Sequence, residues 1–190
     1  TSKSTTRFIE AEKARYPKVN FVKVDTMEEA VRGSQIVSIA TSTPTTGDTS
    51  IYPYIKEEWI DPGTVISCPS SARFDDDFFI NRARLVADNI KLYEAWEEEN
   101  PHPAYEVIPI PAVHAEDLIA EGKMDASKID DLGDVLTGKV PVHRNDDEIV
   151  IYSIGGMPVE DVAWGTIVYR NAKRLGIGQS LNLWEQPRLS

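Results

Sequence analysis

The stretch that decides the fold is DDEIVIYSIGGMPVEDVAWG, residues 146–165. Its run EIVIYSI, residues 148–154, is apolar and β-branched, which predicts a buried strand. A proline and two acids follow the glycines at once, which predicts a helix over 158–175. Because no loop separates the two elements, the chain must turn sharply at Gly155-Gly156, where glycine reaches backbone angles closed to larger residues.

A corner of this kind has two interpretations that the residues alone leave open. It is either a tight connection between a strand and a helix, or a place where a ligand approaches the peptide plane. Glu160 and Asp161 complement the positive end of the helix dipole but disfavour a phosphate there. If a ligand binds, a neutral group such as a carboxamide therefore fits this corner better than an anion does.

Outward from this stretch, short apolar runs alternate with helix-like segments. Strands are predicted at four further places: 20–24, 35–41, 64–69 and 84–90. Helices are predicted within 4–17, ending before Pro17, from Asp25 with Glu28 in capping-box spacing, over 112–124, and over 129–139. This alternation is typical of an α/β fold, a Rossmann-type doubly wound parallel sheet. The run 35–41 is predicted to be buried on both faces, and 93–111 has no clear period.

Composition excludes several functions. The 190 residues carry 20 basic and 31 acidic side chains, a net charge of −11, which argues against nucleic acid or an anionic membrane as a partner. No apolar run approaches the roughly 18–20 residues of a membrane-spanning helix, and no signal peptide is visible, so we expect a cytoplasmic protein.

The single Cys68 excludes a disulfide framework and is interpreted as a buried, inert thiol. The three histidines have no metal-like spacing, which predicts no metal site.

Small and hydroxyl-bearing residues follow three of the predicted strands. They are Ala40-Thr41-Ser42, Pro69-Ser70-Ser71-Ala72 and Ser153-Ile154-Gly155-Gly156. In open α/β sheets, ligands bind beyond the carboxyl ends of the strands. We therefore expect these clusters to meet at one edge, where small residues admit a flat ring. The glycine fingerprint of a dinucleotide site is missing, since GIGQSL, residues 176–181, follows a helix and reads as its C-cap.

The whole chain resembles the ornithine cyclodeaminase/μ-crystallin family of NAD(P)-binding proteins. The most specific part is 145–178, NDDEIVIYSIGGMPVEDVAWGTIVYRNAKRLGIG, which matches the closing strand, the "S-x-G", the "E-D" and the "G-I-G" of that family. YPYIKEEWIDPG, SSARFDDDF and LYEAWEEE resemble the branch named for an accessory subunit of tyramine oxidase. The resemblance implies NAD or NADP as cofactor, a small amine or amino acid as substrate, and a homodimer.

The resemblance also implies a domain organisation. Residues 1–157 would be the C-terminal part of a Rossmann domain that lacks its first strand and glycine turn. Residues 158–190 would be a closing helix and tail that return toward a missing substrate and dimerisation domain. The sequence would then be a large fragment of a longer protein, inactive by itself, with an N-terminal segment missing.

Individual positions carry over from the family by resemblance. Thr41 falls where a family threonine contacts the cofactor, and Pro69, Ser70 and Ser71 fall on the loop near the nicotinamide. Ser153 matches the cofactor-contacting serine, and Ile154 matches its substrate-side neighbour. Each of these has a plain alternative as a loop or turn residue.

One departure from the family concerns catalysis. Cyclodeaminases carry "G-x-D-x-P-G-K" after the strand equivalent to 64–69, and its aspartate is the catalytic acid–base. Here the stretch is CPSSARFDDDF, and Ala72 falls about where the acid belongs. Asp75–Asp77 are interpreted as helix caps, so no catalytic residue is assigned. The sequence therefore predicts an NAD(P)-dependent oxidoreductase or deaminase acting at a C–N bond or, alternatively, a non-catalytic dinucleotide-binding accessory subunit.

Overall fold

The computed structural model describes residues 2–41 and 48–181. The chain divides into two compact units, residues 1–155 and 156–190, and each is described separately below. No helix within the described ranges is both long and apolar enough to span a membrane.

The first unit is a parallel sheet of five strands with helices between them. The strands are β1 (Ile36–Ser38), β2 (Val65–Cys68), β3 (Ala83–Ala87), β4 (Ile129–Asp131) and β5 (Ile149–Ser153), in the spatial order β1-β2-β5-β3-β4. Its helices are α1 (Ser2–Arg15), α2 (Met27–Val31), α3 (Ile90–Glu99), α4 (Pro111–Ala120) and α5 (Leu132–Leu136). All strand pairs are parallel, so the predicted α/β fold class is confirmed.

Burial follows the position of each strand in the sheet. Every residue of β3 is buried, and the neighbouring β5 buries four of its five. Both strands are mostly apolar and lie between other strands, as expected for runs covered on both faces. The core they form includes the fully buried Phe78, Tyr93 and Val113. The predicted strands at 64–69, 84–90 and 148–154 are thereby confirmed as β2, β3 and β5.

Two strand predictions were wrong at the β1 side. β1 is an edge strand that pairs only with β2 among the described residues, and Ile36 is 73% exposed, so the run 35–41 is not buried on both faces. Residues 20–24 alternate as a strand does but form none, because no strand in the described part of the chain pairs with them. A strand pattern gives only a side-chain period, whereas a strand also needs a hydrogen-bonded neighbour.

Three further differences are local. The capping box uses Thr26 and Glu29, one residue later than predicted, because the Thr26 hydroxyl accepts the N–H of Glu29. The stretch 93–111 was predicted without an element and contains most of α3. The segment 129–131, predicted as helical, pairs with β3 as strand β4 before α5 begins.

A buried arginine fixes the connection that leads into β5. Arg84, 3% exposed, donates to Asp130 at 2.6 Å and to Glu148 at 3.3 Å. Its remaining donors reach the carbonyl oxygens of Pro141 and Val142 at 2.9 and 3.0 Å. The guanidinium therefore links β3 and β4 to the segment before β5.

The second unit contains α6, Pro158–Leu175, at the bounds that the sequence predicts. Pro158 occupies its first turn, and the helix ends at Gly176 with φ of +65°, which confirms GIGQSL as a C-cap. Trp164 is 68% exposed on this helix. The tail 182–190 lies outside the described residues.

Candidate functional site

The carboxyl ends of four parallel strands form one edge of the sheet, here called the rim: residues 39–41, 69–72, 88–89 and 153–155. The register aligns Ser153 with Cys68 on one side and with Ala87 on the other. The clusters that the sequence predicts at strand ends therefore do lie along a single edge. This follows from parallel pairing, which carries all carboxyl ends to the same side.

Thr41 and the serine loop are in direct contact at the rim. The Ser70 hydroxyl donates to the Thr41 carbonyl oxygen at 2.5 Å. Thr41 and Pro69 are exposed, while Ser70 and Ser71 are half-buried. The loops after β1 and β2 thus present peptide groups and hydroxyls at an open surface. Ser42 lies outside the described residues.

Ser153 is positioned differently from these residues. It is fully buried, and its hydroxyl accepts the N–H of Ala112, in the first turn of α4, at 3.1 Å. Its carbonyl oxygen accepts the N–H of Asp88 at 3.1 Å. The next residue, Ile154, is half-buried and donates its N–H to the Cys68 carbonyl oxygen at 3.1 Å. The Ser153 side chain therefore positions α4 over the rim, and the surface open to a ligand begins at Ile154.

The glycine corner is explained by what packs behind it. A Cβ at Gly155 would lie 2.8 Å from the Tyr93 hydroxyl oxygen and 3.1 Å from Trp96 Cζ3. No side chain fits there without moving that aromatic pair, whose rings meet edge to face at 5.6 Å. Gly156 has φ of +109°, which a larger residue rarely adopts. Both glycines are thus required, one by close packing and the other by its backbone angle.

Asp88 holds this corner and was missed by the sequence interpretation. One carboxylate oxygen accepts the Gly155 N–H at 3.0 Å, and the other accepts the Tyr93 hydroxyl and the N–H of Asn89 at 3.0 Å. Burial raises the pKa of Tyr93, and its hydrogen bond to Asp88 raises it further. The signal was present, because Asp88 directly follows a buried strand, but only small and hydroxyl-bearing residues were selected.

The departure from the family at Ala72 has a clear structural setting. Ala72 is 1% exposed, and its carbonyl oxygen accepts the Tyr105 hydroxyl at 2.8 Å. The Tyr105 ring packs against the ring of His114, with centroids 4.7 Å apart. His114 Nε2 lies 2.9 Å from Asp76 Oδ1. A half-buried histidine, paired with the exposed Asp76, therefore lies beside the loop that contains Ala72.

The interpretation of Asp75–Asp77 as helix caps was wrong. Asp75 accepts the Tyr54 hydroxyl at 2.7 Å, Asp76 contacts His114, and Asp77 accepts the Asn81 side-chain amide at 2.6 Å. The segment that follows, Phe78–Arg82, is a single π-helical turn without a side-chain cap. Asp75 and Asp76 therefore contact side chains from other parts of the unit, and Asp77 contacts a side chain within the turn itself.

Three further candidate residues, Cys68, His102 and His143, lie outside the rim. Burial raises the pKa of Cys68 to about 12, as expected for an inert thiol. His102 lies among acids of α3 and α4. His143 lines a cavity of about 400 Å³ whose floor includes Val65, Val150 and Tyr152. That cavity covers a face of the sheet rather than the rim, so the exposed His143 lies away from the rim.

The chain belongs to the ornithine cyclodeaminase/mu-crystallin family, whose model matches residues 1–175. A curated relative, N-((2S)-2-amino-2-carboxyethyl)-L-glutamate dehydrogenase of Staphylococcus aureus, is 27% identical over 184 residues, which are 96% of this chain and 48% of the relative. The chain thus spans about half the length of the curated relatives it matches.

Two solved structures have the same fold. One is an archaeal alanine dehydrogenase dimer with bound NAD, with a TM-score of 0.67 and 20% identity over 96% of this chain and 50% of that one. The other is the iminosuccinate reductase of Paracoccus denitrificans in complex with NAD+, with a TM-score of 0.63 and 20% identity over 91% and 47%. At these identities the likeness concerns the fold.

Proposed function

We propose that the chain belongs to a nicotinamide-dependent oxidoreductase that acts at a C–N bond of a small amine or amino acid. The observation that carries this proposal is the rim, where Thr41, Ser70 and the glycine corner follow adjacent parallel strands. The names of the relatives support it, since they are dehydrogenases or reductases of amino acids, and both solved structures hold NAD.

The residues of the rim fit the nicotinamide half of a dinucleotide. The exposed Thr41 and the half-buried Ser71 would hold the carboxamide, and Ser70 would fix the Thr41 peptide group through its hydrogen bond. Pro69 would flank the ring, and Ile154 would lie on the substrate side. Ser153 would act through α4 and the backbone, because its hydroxyl is engaged with Ala112. When bound, the nicotinamide supplies the hydride chemistry. The residues do not choose between NAD and NADP.

His114 and Asp76 would move the proton in this account. Proton transfer by a positioned side chain contributes roughly 10²–10⁴-fold in rate, and Ala72 provides no such group. The Asp76 carboxylate is 2.9 Å from His114 Nε2, so it orients the ring. Replacing His114 by glutamine should therefore lower turnover while leaving dinucleotide affinity unchanged.

A second candidate is a non-catalytic accessory subunit, as in the tyramine oxidase branch that the sequence resembles. Ala72 favours it, because a buried methyl group stands where cyclodeaminases carry their acid. The rim would then hold a dinucleotide without turnover. The homodimer, the cytoplasmic location and the division at residue 157 are further proposals of the same kind.

The test is a titration of the full-length protein with NADH and NADPH, followed by a screen of amines and amino acids at 340 nm. Ser70→Trp should abolish nucleotide binding by filling the rim, and Ser127→Trp, at the amino end of β4, serves as its matched control. Turnover supports the oxidoreductase, and tight binding without turnover supports the accessory subunit. Full-length protein that binds neither nucleotide contradicts both.

A further inference from the structure

One imidazole and two carboxylates converge where the end of α3, the connection to α4 and α4 itself meet. His102 Nδ1 lies 3.4 Å from Asp117 Oδ1 and 3.7 Å from Glu97 Oε1. Both separations are longer than an ordinary N–H···O hydrogen bond. The cluster contains a single histidine, so spacing among the histidines gave no signal for it.

These separations are close to the edges of a coordination tetrahedron, with His102–Asp117 at 3.4 Å and His102–Glu97 slightly longer at 3.7 Å. Nitrogen and carboxylate ligands bind zinc at about 2.0–2.2 Å, which places neighbouring ligand atoms about 3.3–3.6 Å apart. All three ligand atoms lie within 4.8 Å of one another. A cation at their centre would therefore need only small side-chain movements.

The second nitrogen of His102 is held as metal-bound histidines usually are. His102 Nε2 lies 3.2 Å from Glu121 Oε1, and the Lys123 ammonium lies 2.6 Å from the other oxygen of that carboxylate. A proton on Nε2 that is donated to Glu121 leaves the lone pair on Nδ1, the atom that faces Asp117 and Glu97. A carboxylate behind a ligating histidine fixes its tautomer and orientation in this way.

The deepest of the three ligands is already rigid. The Asp117 side chain is 4% exposed, and its two oxygens accept the N–H groups of Ala104 and Tyr105 at 2.8 Å each. Each oxygen keeps a further lone pair for a cation. Glu97 is 24% and His102 43% exposed, so water can complete the coordination from the outer side.

The surrounding charge also favours a cation. Among the described residues, Glu97 and Asp117 form ion pairs with His102 alone, so no lysine or arginine there neutralises these two carboxylates. We propose that Glu97, His102 and Asp117 bind Zn²⁺, with water in the remaining position and Glu121 supporting His102. A nitrogen ligand favours zinc over Mg²⁺, which prefers six oxygen ligands. This proposal does not depend on the proposed function.

The experiment is calorimetric titration of the chelator-treated chain with zinc chloride at neutral pH. We expect one site per chain, weakened by more than about 100-fold in His102→Gln and by about 10–100-fold in Glu121→Ala. Glu97→Gln should weaken it as well, and these variants spare the buried cap made by Asp117. His143→Gln is the matched control, because His143 lies in a different part of the unit.

Two readouts separate zinc binding from a plain ion pair. Zinc should shift the ¹⁵N resonance of His102 Nδ1 and leave that of His143 unchanged, and excess Mg²⁺ should not displace the zinc. A chain that takes up no zinc, or a His102→Gln variant that binds it as tightly as the unchanged chain, overturns the proposal and leaves His102 as a protonated partner of the acids.

Discussion

Replacing Gly155 by alanine tests whether the corner after β5 is set by the aromatic pair behind it. The added Cβ would lie 2.8 Å from the Tyr93 hydroxyl oxygen, 3.0 Å from Tyr93 Cε1 and 3.1 Å from Trp96 Cζ3. Tyr93 is fully buried and cannot swing into solvent. The contact therefore has to be relieved by shifting the ring or the backbone of the corner.

The expected loss of stability in Gly155→Ala follows from the packing and the hydrogen bond that this shift disturbs. Overpacking a dense core costs about 1–3 kcal/mol. Loss of a hydrogen bond to a charged acceptor, here the one from Tyr93 to Asp88, costs about 1.5–3 kcal/mol. Since the two effects share one movement, we expect Gly155→Ala to lower the free energy of unfolding by about 2–4 kcal/mol. The Tm should fall by about 2–4 °C for each kcal/mol.

The assay is urea unfolding followed by tryptophan fluorescence and circular dichroism. Gly165→Ala is the matched control, because a Cβ there meets nothing within 4 Å and α6 favours alanine over glycine by about 1 kcal/mol. Combining Gly155→Ala with Tyr93→Phe should give less than the sum of the single effects, since the residues touch. A Gly155→Ala protein as stable as the unchanged chain would refute this account of the corner.

Three further predictions concern buried groups. Arg84→Met should lower the free energy of unfolding in urea by about 3–5 kcal/mol, because it leaves Asp130 and Glu148 buried without their main partner. Arg84→Lys should lower it by less, and an Arg84→Met protein as stable as the unchanged chain would contradict this prediction. Ser153→Ala should cost about 1–3 kcal/mol by orphaning the N–H of Ala112, and an unchanged midpoint would show that this cap is unimportant. Cys68 should resist alkylation in the folded chain up to pH 9 and react once the chain is unfolded, since burial raises its pKa to about 12. Because the folded thiol keeps its proton at a pH where the unfolded thiol loses it, the free energy of unfolding should fall as the pH rises above 9. Rapid alkylation of the folded chain would contradict a buried thiol.

The central strands could be predicted because their sequence and their surroundings agree. β3 and β5 are mostly apolar, with Arg84 and Ser153 as their buried polar residues, and α6 begins at a proline and ends at a glycine, which are strong local signals. The prediction of a strand at 20–24 was wrong because the alternation of its side chains is a local property, whereas a strand also needs a hydrogen-bonded neighbour from another part of the chain. The predicted burial of β1 was wrong for the same reason, since the position of a strand at the edge of a sheet depends on the other strands and not on its own sequence.

The rim was predictable only in outline. The rule that ligands bind at carboxyl ends of strands selected Thr41, Ser70 and Ser153, and parallel pairing does place them along one edge. The direction of each side chain was not in the sequence, so the engagement of the Ser153 hydroxyl with α4 was missed. The pairing of His114 with Asp76 was also missed, because the two residues are 38 positions apart in the sequence. Asp88 was missed because only small and hydroxyl-bearing residues were selected at the strand ends.

The central claim is that the rim binds a nicotinamide, and backbone NMR of the labelled full-length protein tests it most directly. Titration with NADH should shift the amide resonances of Thr41, Ser70, Ser71 and Ile154, while those of Val142 and His143 at the separate cavity stay unchanged. Shifts confined to that cavity, or a spectrum that NADH leaves unaltered, would contradict the account.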